Sequence, residues 1–116
     1  MTDRMLRVNS ILRQVLAEEV ERLNDARLEF VSITGVDTAP NLRRAVVYFD
    51  VLEPDQQEPA LLALQRAARR LQAAIGRQVR MKYTPTLEFA VDPGIVGGER
   101  IDALLRELTS EEGDDE

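Results

Sequence analysis

The chain of 116 residues contains no cysteine, no histidine and no tryptophan. Without cysteine there is no disulfide framework and no thiol nucleophile. Without histidine the commonest general base and the commonest transition-metal ligand are both missing. Zinc sites built from those two residue types are excluded as well. Only carboxylates remain for acid–base or metal chemistry. Aromatic side chains are scarce, at 4%. No apolar run approaches the roughly 18 residues that span a bilayer. The basic start, Met1 to Arg7, leads into no signal-type apolar stretch. The expected address is therefore cytoplasmic, with no membrane contact and no small-molecule cofactor.

What is present fits one domain with a modest core: 44% of residues are apolar. The net charge of -6 looks wrong for a nucleic-acid binder, but its distribution is uneven. Glu111 to Glu116 carry five of the 21 acids, so the body of the chain is close to neutral. From Pro59 to Leu87 there are six bases, Arg66, Arg69, Arg70, Arg77, Arg80 and Lys82, and no acid. A second acid-free stretch, Arg4 to Ala17, holds Arg4, Arg7 and Arg13. Clustered bases count for more than net charge in nucleic-acid recognition. Arginine, 14 of the 15 bases here, suits bidentate phosphate contact.

Periodicity supplies the elements. Met5, Val8, Leu12, Val15, Leu16 and Leu23 recur at helical spacing over 4–23, with Asp3 or Thr2 able to cap the start. Residues 28–36 read as a strand, with a bulge expected near Phe30-Val31, where alternation fails. After the turn Asp37 to Asn41, residues 42–52 alternate, with Ala45, Val47, Phe49 and Val51 on one face. So short a turn pairs the two strands antiparallel. Pro59 opens a helix whose stripe is Leu61, Leu64, Ala68, Leu71 and Ile75, with Arg66, Arg69 and Arg70 opposite. Gly76 interrupts it. Residues 79–91 alternate without error, though Pro85 argues for an edge or a bend. The spacing of Ile101, Leu104, Leu105 and Leu108 predicts a short amphipathic helix over 99–109. The fold class is α+β: helix–strand–strand–helix–helix–strand, a three-stranded sheet covered by helices on one face. Residues 1–109 are expected to form the domain, and 110–116 a disordered acidic tail.

In this order and spacing, four stretches resemble the bacterial ribosome-binding factor A family. They are Arg4-Met-Leu-Arg7-Val8; Asn24-Asp25-Ala26-Arg27-Leu28; Val31 to Val36 with Asn41 to Tyr48; and Arg80 to Asp92. The likeness covers about Arg4 to Leu108. Ala26 stands where the family usually has proline, and Asn41 where aspartate is common. The resemblance implies a type II KH-like fold with an A-x-G kink between two helices, matched to Ala74-Ile75-Gly76. It also implies a role late in maturation of the small (30S) ribosomal subunit. That role includes contact with 16S rRNA, 5′-end processing, cold adaptation and a monomeric state, with no catalysis.

Each candidate residue has a plainer role beside the functional one. Arg66, Arg69 and Arg70 on a helix make an ordinary solvated face. However, a face stabilised by ion pairs would carry glutamate at spacings of four, and this one has none. Arg4 and Arg7 either decorate the first helix or meet rRNA. Gly76 is a helix C-cap, a site of close phosphate approach, or the setter of an interhelical angle. Tyr48 and Tyr83 either stack on bases or pack in the core. Val46 and Tyr48, partly exposed on an open sheet face, would form a patch for a protein partner.

Two rivals stand beside rRNA binding: a protein–protein dimerisation module, and a carboxylate-dependent nuclease. The second lacks any convergent acid cluster in the body. If the acidic tail competes with RNA for the basic helix face, deleting residues 110–116 tightens RNA binding at low salt, read by fluorescence anisotropy. Unchanged affinity rules the competition out.

Overall fold

The computed structural model describes residues 3–94, so the expected helix at 99–109 and the tail at 110–116 lie outside the described residues. Helix α1 runs Asp3–Arg22, with an acid in its first turn and a base in its last, complementing the helix dipole. Leu12, Val15, Leu16 and Val20 are its buried stripe. Asp25 ends the approach to a single 3-10 turn, Ala26–Leu28. Its carboxylate accepts from the Arg27 backbone N–H (2.9 Å) and from Arg27 Nε (3.1 Å) and Nη2 (2.7 Å). Chiefly the side-chain hydrogen bonding from Arg27 holds the Asp25 carboxyl below its ordinary value.

Strand β1 spans Ser32–Thr38 and pairs antiparallel with β2, Arg44–Asp50. The register shifts between Ile33, opposite Phe49, and Gly35, opposite Tyr48. The extra residue is Thr34. A bulge there lets Ile33 and Val36, three apart, both turn inward beside Phe49 and Val47. The irregularity thus lies inside the strand and not at Phe30-Val31, which precedes it. Phe30 is 55% exposed.

Strand β3, Thr86–Val91, pairs parallel with β2, so the sheet order is β1-β2-β3 with β2 central. Alternation begins at Val79, a residue that also continues the helix stripe, but the strand itself begins seven residues later. Pro85 lacks the N–H a ladder needs, so regular pairing starts immediately after it, with Thr86 N–H donating to the Arg43 carbonyl at 2.9 Å.

Between β2 and β3 the chain crosses over through a 3-10 turn at Pro54–Gln56, then α2 (Gln57–Arg66) and α3 (Ala68–Gln78). Ala60, Ala63, Leu64, Leu71, Ala74 and Ile75 join the α1 stripe and the inner faces of Val47, Phe49 and Leu87 in one core. Helices thus cover one face of a three-stranded mixed sheet. Val46 and Tyr48 point away from that core, yet each is only 1% exposed. They occupy interior positions of the central strand, flanked by Asp37 and Gly35 on β1 and by Glu88 and Ala90 on β3. The expected patch at these two residues is therefore not a surface. No helix among the described residues is long and apolar enough to cross a membrane.

One buried polar clamp ties α1 to the sheet. Asn9 Oδ1 accepts from the Thr38 backbone N–H at 2.9 Å, at the last residue of β1. An N–H left unsatisfied in such a place costs about 1–3 kcal/mol. Asn9→Ala is expected to lower the urea-unfolding free energy by about 2 kcal/mol. Ser10→Ala, one residue on and exposed, should be near neutral. Equal effects would contradict the clamp.

Candidate nucleic-acid interface

Helix α3 turns Leu71, Ala74 and Ile75 inward. At about 100° per residue, the outward side then carries two rows. Arg70 and Arg77, seven apart, nearly align, and Arg69 and Gly76 align beside them. Arg66 is the last residue of α2, and Arg80 and Lys82 follow α3 in the irregular segment before β3. All six cations are exposed, as are Arg4 and Arg7 in the first turns of α1. The crossover thus carries Arg66, Arg69, Arg70, Arg77 and Arg80; helical spacing had set only the first three opposite the apolar stripe.

Among the described residues, only Arg77 of these six is paired with a carboxylate: its Nη2 lies 3.6 Å from Glu19 Oε1 on α1. Glu19 is buried and also holds Arg22 at 3.4 Å, so it docks the end of α3 onto α1. Arg66, Arg69, Arg70 and Arg80 have no ion pair among the described residues, and their charge faces solvent. Exposed pairs contribute little to stability in any case. The face is therefore maintained by the apolar side of the helices, which leaves its guanidinium groups available to an anionic partner.

Arg80 and Lys82 join Arg4 around an open groove of about 540 Å³ between α1, α3 and the β1–β2 turn. Beside it, the Arg43 guanidinium lies over the Tyr83 ring, 4.2 Å from the centroid, and Lys82 Nζ is 5.5 Å from the same centroid. Arg43 was not among the sequence candidates. It sits in a turn 40 residues from Tyr83, and only the Leu42-Arg43-Arg44 run hinted at it. Tyr83 is half-buried beneath this arginine and Tyr48 is interior, so neither ring stands free on the surface. Among the described residues, no group of three or more Asp and Glu side chains is placed to hold a metal ion.

Comparison with known proteins gives the family. Residues 4–105 match the family model for ribosome-binding factor A. The chain belongs to the ribosome-binding factor A family. A relative of that name from Rubrobacter xylanophilus is 41% identical over 112 residues, covering 96% of this chain and 92% of its own. Another from Geobacter sulfurreducens is 37% identical over 98 residues, covering 84% and 83%. The crystal structure of ribosome-binding factor A from Thermus thermophilus superposes with a TM-score of 0.71 at 37% identity, over 75% of this chain and 94% of that one. A homology model of the Thermus thermophilus factor, fitted into a cryo-EM map of its 30S complex, matches with a TM-score of 0.61 at 39% identity. It covers 71% of this chain and 88% of its own. The helix–strand–strand–helix–helix–strand order is consistent with the family's KH-like fold.

The interhelical kink of the family does not fall at Ala74 and Gly76 in this chain. Both lie inside α3, with Ala74 buried against the core. The break is at Ala67, with φ -86° and ψ 0°. Its N–H is shared between the carbonyls of Ala63 and Leu64, each at 3.1 Å. The shared bond tightens the last turn of α2 and redirects the chain. Gly76 is neither cap nor hinge. A Cβ placed there would meet only Thr84 Oγ1, at an ordinary 3.5 Å. Gly76→Ala is therefore expected to stabilise by about 0.5–1 kcal/mol in urea unfolding, the ordinary helix-interior gain. A loss of stability would restore a structural need for glycine.

Proposed function

We propose that this chain binds the small ribosomal subunit through 16S rRNA and assists late maturation of that subunit, including processing of the rRNA 5′ end. The observation that carries this is the solvent-facing row of guanidinium groups on the α2–α3 crossover, Arg66, Arg69, Arg70, Arg77 and Arg80, extended by Lys82, Arg4 and Arg7. Membership of the family supports it, as does the Thermus thermophilus factor fitted into a 30S complex.

The mechanism is occupancy and shape recognition. Arginines that touch phosphates position a protein on RNA without reading its sequence. No residue is assigned a catalytic role. The protein works as a monomer in the cytoplasm, where subunits are assembled, and its need is greatest in the cold, when rRNA misfolds are slowest to resolve. A dimerisation module loses its sheet-face patch, because Val46 and Tyr48 are interior.

Each phosphate contact contributes roughly 0.7–0.9 to the slope of log affinity against log salt. Co-sedimentation with small subunits across a salt series should therefore show steep loss of binding. Arg66→Glu/Arg69→Glu/Arg70→Glu should abolish it with the fold intact, because the three side chains are exposed. Binding by the triple variant equal to wild type, or no wild-type binding at any salt, contradicts the proposal.

A further inference from the structure

The groove beside the arginine row has a character that phosphate binding alone does not require. Among the described residues its charged members are all cations: Arg4 from α1, and Arg80 and Lys82 from the segment after α3. Its remaining side chains are apolar: Val8, Leu42, Val79 and Met81. Gly76 adds no side chain, so the wall is low where α3 meets the groove. The groove is open to solvent and about 540 Å³ in volume.

A phosphate satisfies the rim but not an apolar floor. A paired, stacked duplex presents phosphates and ribose while its bases stay inside. An unpaired nucleotide satisfies both, with its phosphate at the cations and its base against carbon. Arg43 and Tyr83, the chain neighbours of Leu42 and Lys82, add a stacking surface at the edge. The guanidinium is held over the ring at 4.2 Å while the residue stays exposed, so its outer face is already ordered for a base to lie on. Guanidinium planes and aromatic rings are the usual stacking partners of unpaired bases.

We infer that this groove takes an unpaired RNA nucleotide, its phosphate held by Arg4, Arg80 and Lys82 and its base seated on the apolar floor against the Arg43–Tyr83 stack. The inference rests on the rRNA-binding reading and narrows it: the contacted segment is single-stranded at this point. It also separates two roles. The arginine row on α2 and α3 supplies charge, and the groove supplies preference for strand state.

The test uses the full chain and two RNA probes of eight nucleotides, one single-stranded and one duplex, compared by fluorescence anisotropy at matched salt. Wild type should bind the single strand at least about tenfold more tightly. Arg43→Gln, at an exposed position that leaves the fold untouched, and Tyr83→Leu, which keeps apolar bulk, should each weaken single-strand binding. The loss should lie between about five- and a hundredfold, the range of one base stack, with duplex binding little changed. A 2-aminopurine placed mid-strand should be quenched by wild type and not by either variant. Equal binding of both probes, or variants indistinguishable from wild type, overturns the groove while subunit co-sedimentation still stands. Wild type that binds neither probe nor subunits overturns both.

Discussion

A parallel pairing of β2 with β3 is the constraint from which the rest of this structure follows. Parallel neighbours cannot be joined by a tight turn, so the chain between Asp50 and Thr86 must leave the sheet, cross it and return. Helices α2 and α3 are that crossing. Their apolar side, from Ala60 to Ile75, is spent on the sheet and on α1. Whatever lies on the other side is then held outward. In this chain that other side is arginine without a single acid from Pro59 to Leu87. Core packing and the charged face are two sides of one element, and the first orients the second.

Two smaller devices complete the frame. The bulge at Thr34 brings Ile33 and Val36 to the same face, so β1 buries both against β2 despite their odd spacing. Glu19, buried in α1, reaches Arg77 near the end of α3. That end determines where Arg80 and Lys82 emerge, opposite Arg4 on α1. The basic groove is thus a product of helix docking, assembled from residues as far apart as Arg4 and Lys82.

Much of this was legible in the residues. The stripe of α1, the inward set Ala45, Val47 and Phe49, and the acid-free run all appear directly as patterns. Three features were not legible, for separate reasons. Alternation over Val79–Tyr83 has the period of a strand but no partner to pair with, and Pro85 withholds the N–H that would extend β3 backwards. The break at Ala67 depends on one shared hydrogen bond and on no glycine or proline, so the stripe Leu64, Ala68, Leu71 runs through it unbroken. Gly76 drew attention because glycine punctuates helices, yet here it is merely tolerated inside one. At the site, the arginine row came from the acid-free run together with the helical spacing of Arg66, Arg69 and Arg70. Arg43 over Tyr83 and Glu19 against Arg77 join positions 40 and 58 apart, and no local pattern carries such pairs.

On the proposed function, the outward side of the α2–α3 crossover, and not some other surface, meets RNA. The protein is small enough for residue-by-residue chemical-shift mapping, with a 16S rRNA fragment added to the labelled chain. Shifts should concentrate at Arg66–Lys82, with a second group at Arg4–Val8 and Arg43. Residues around the exposed Phe30 and Leu52 should remain still. Shifts centred on Phe30 and Leu52, with the arginine row unmoved, would contradict it.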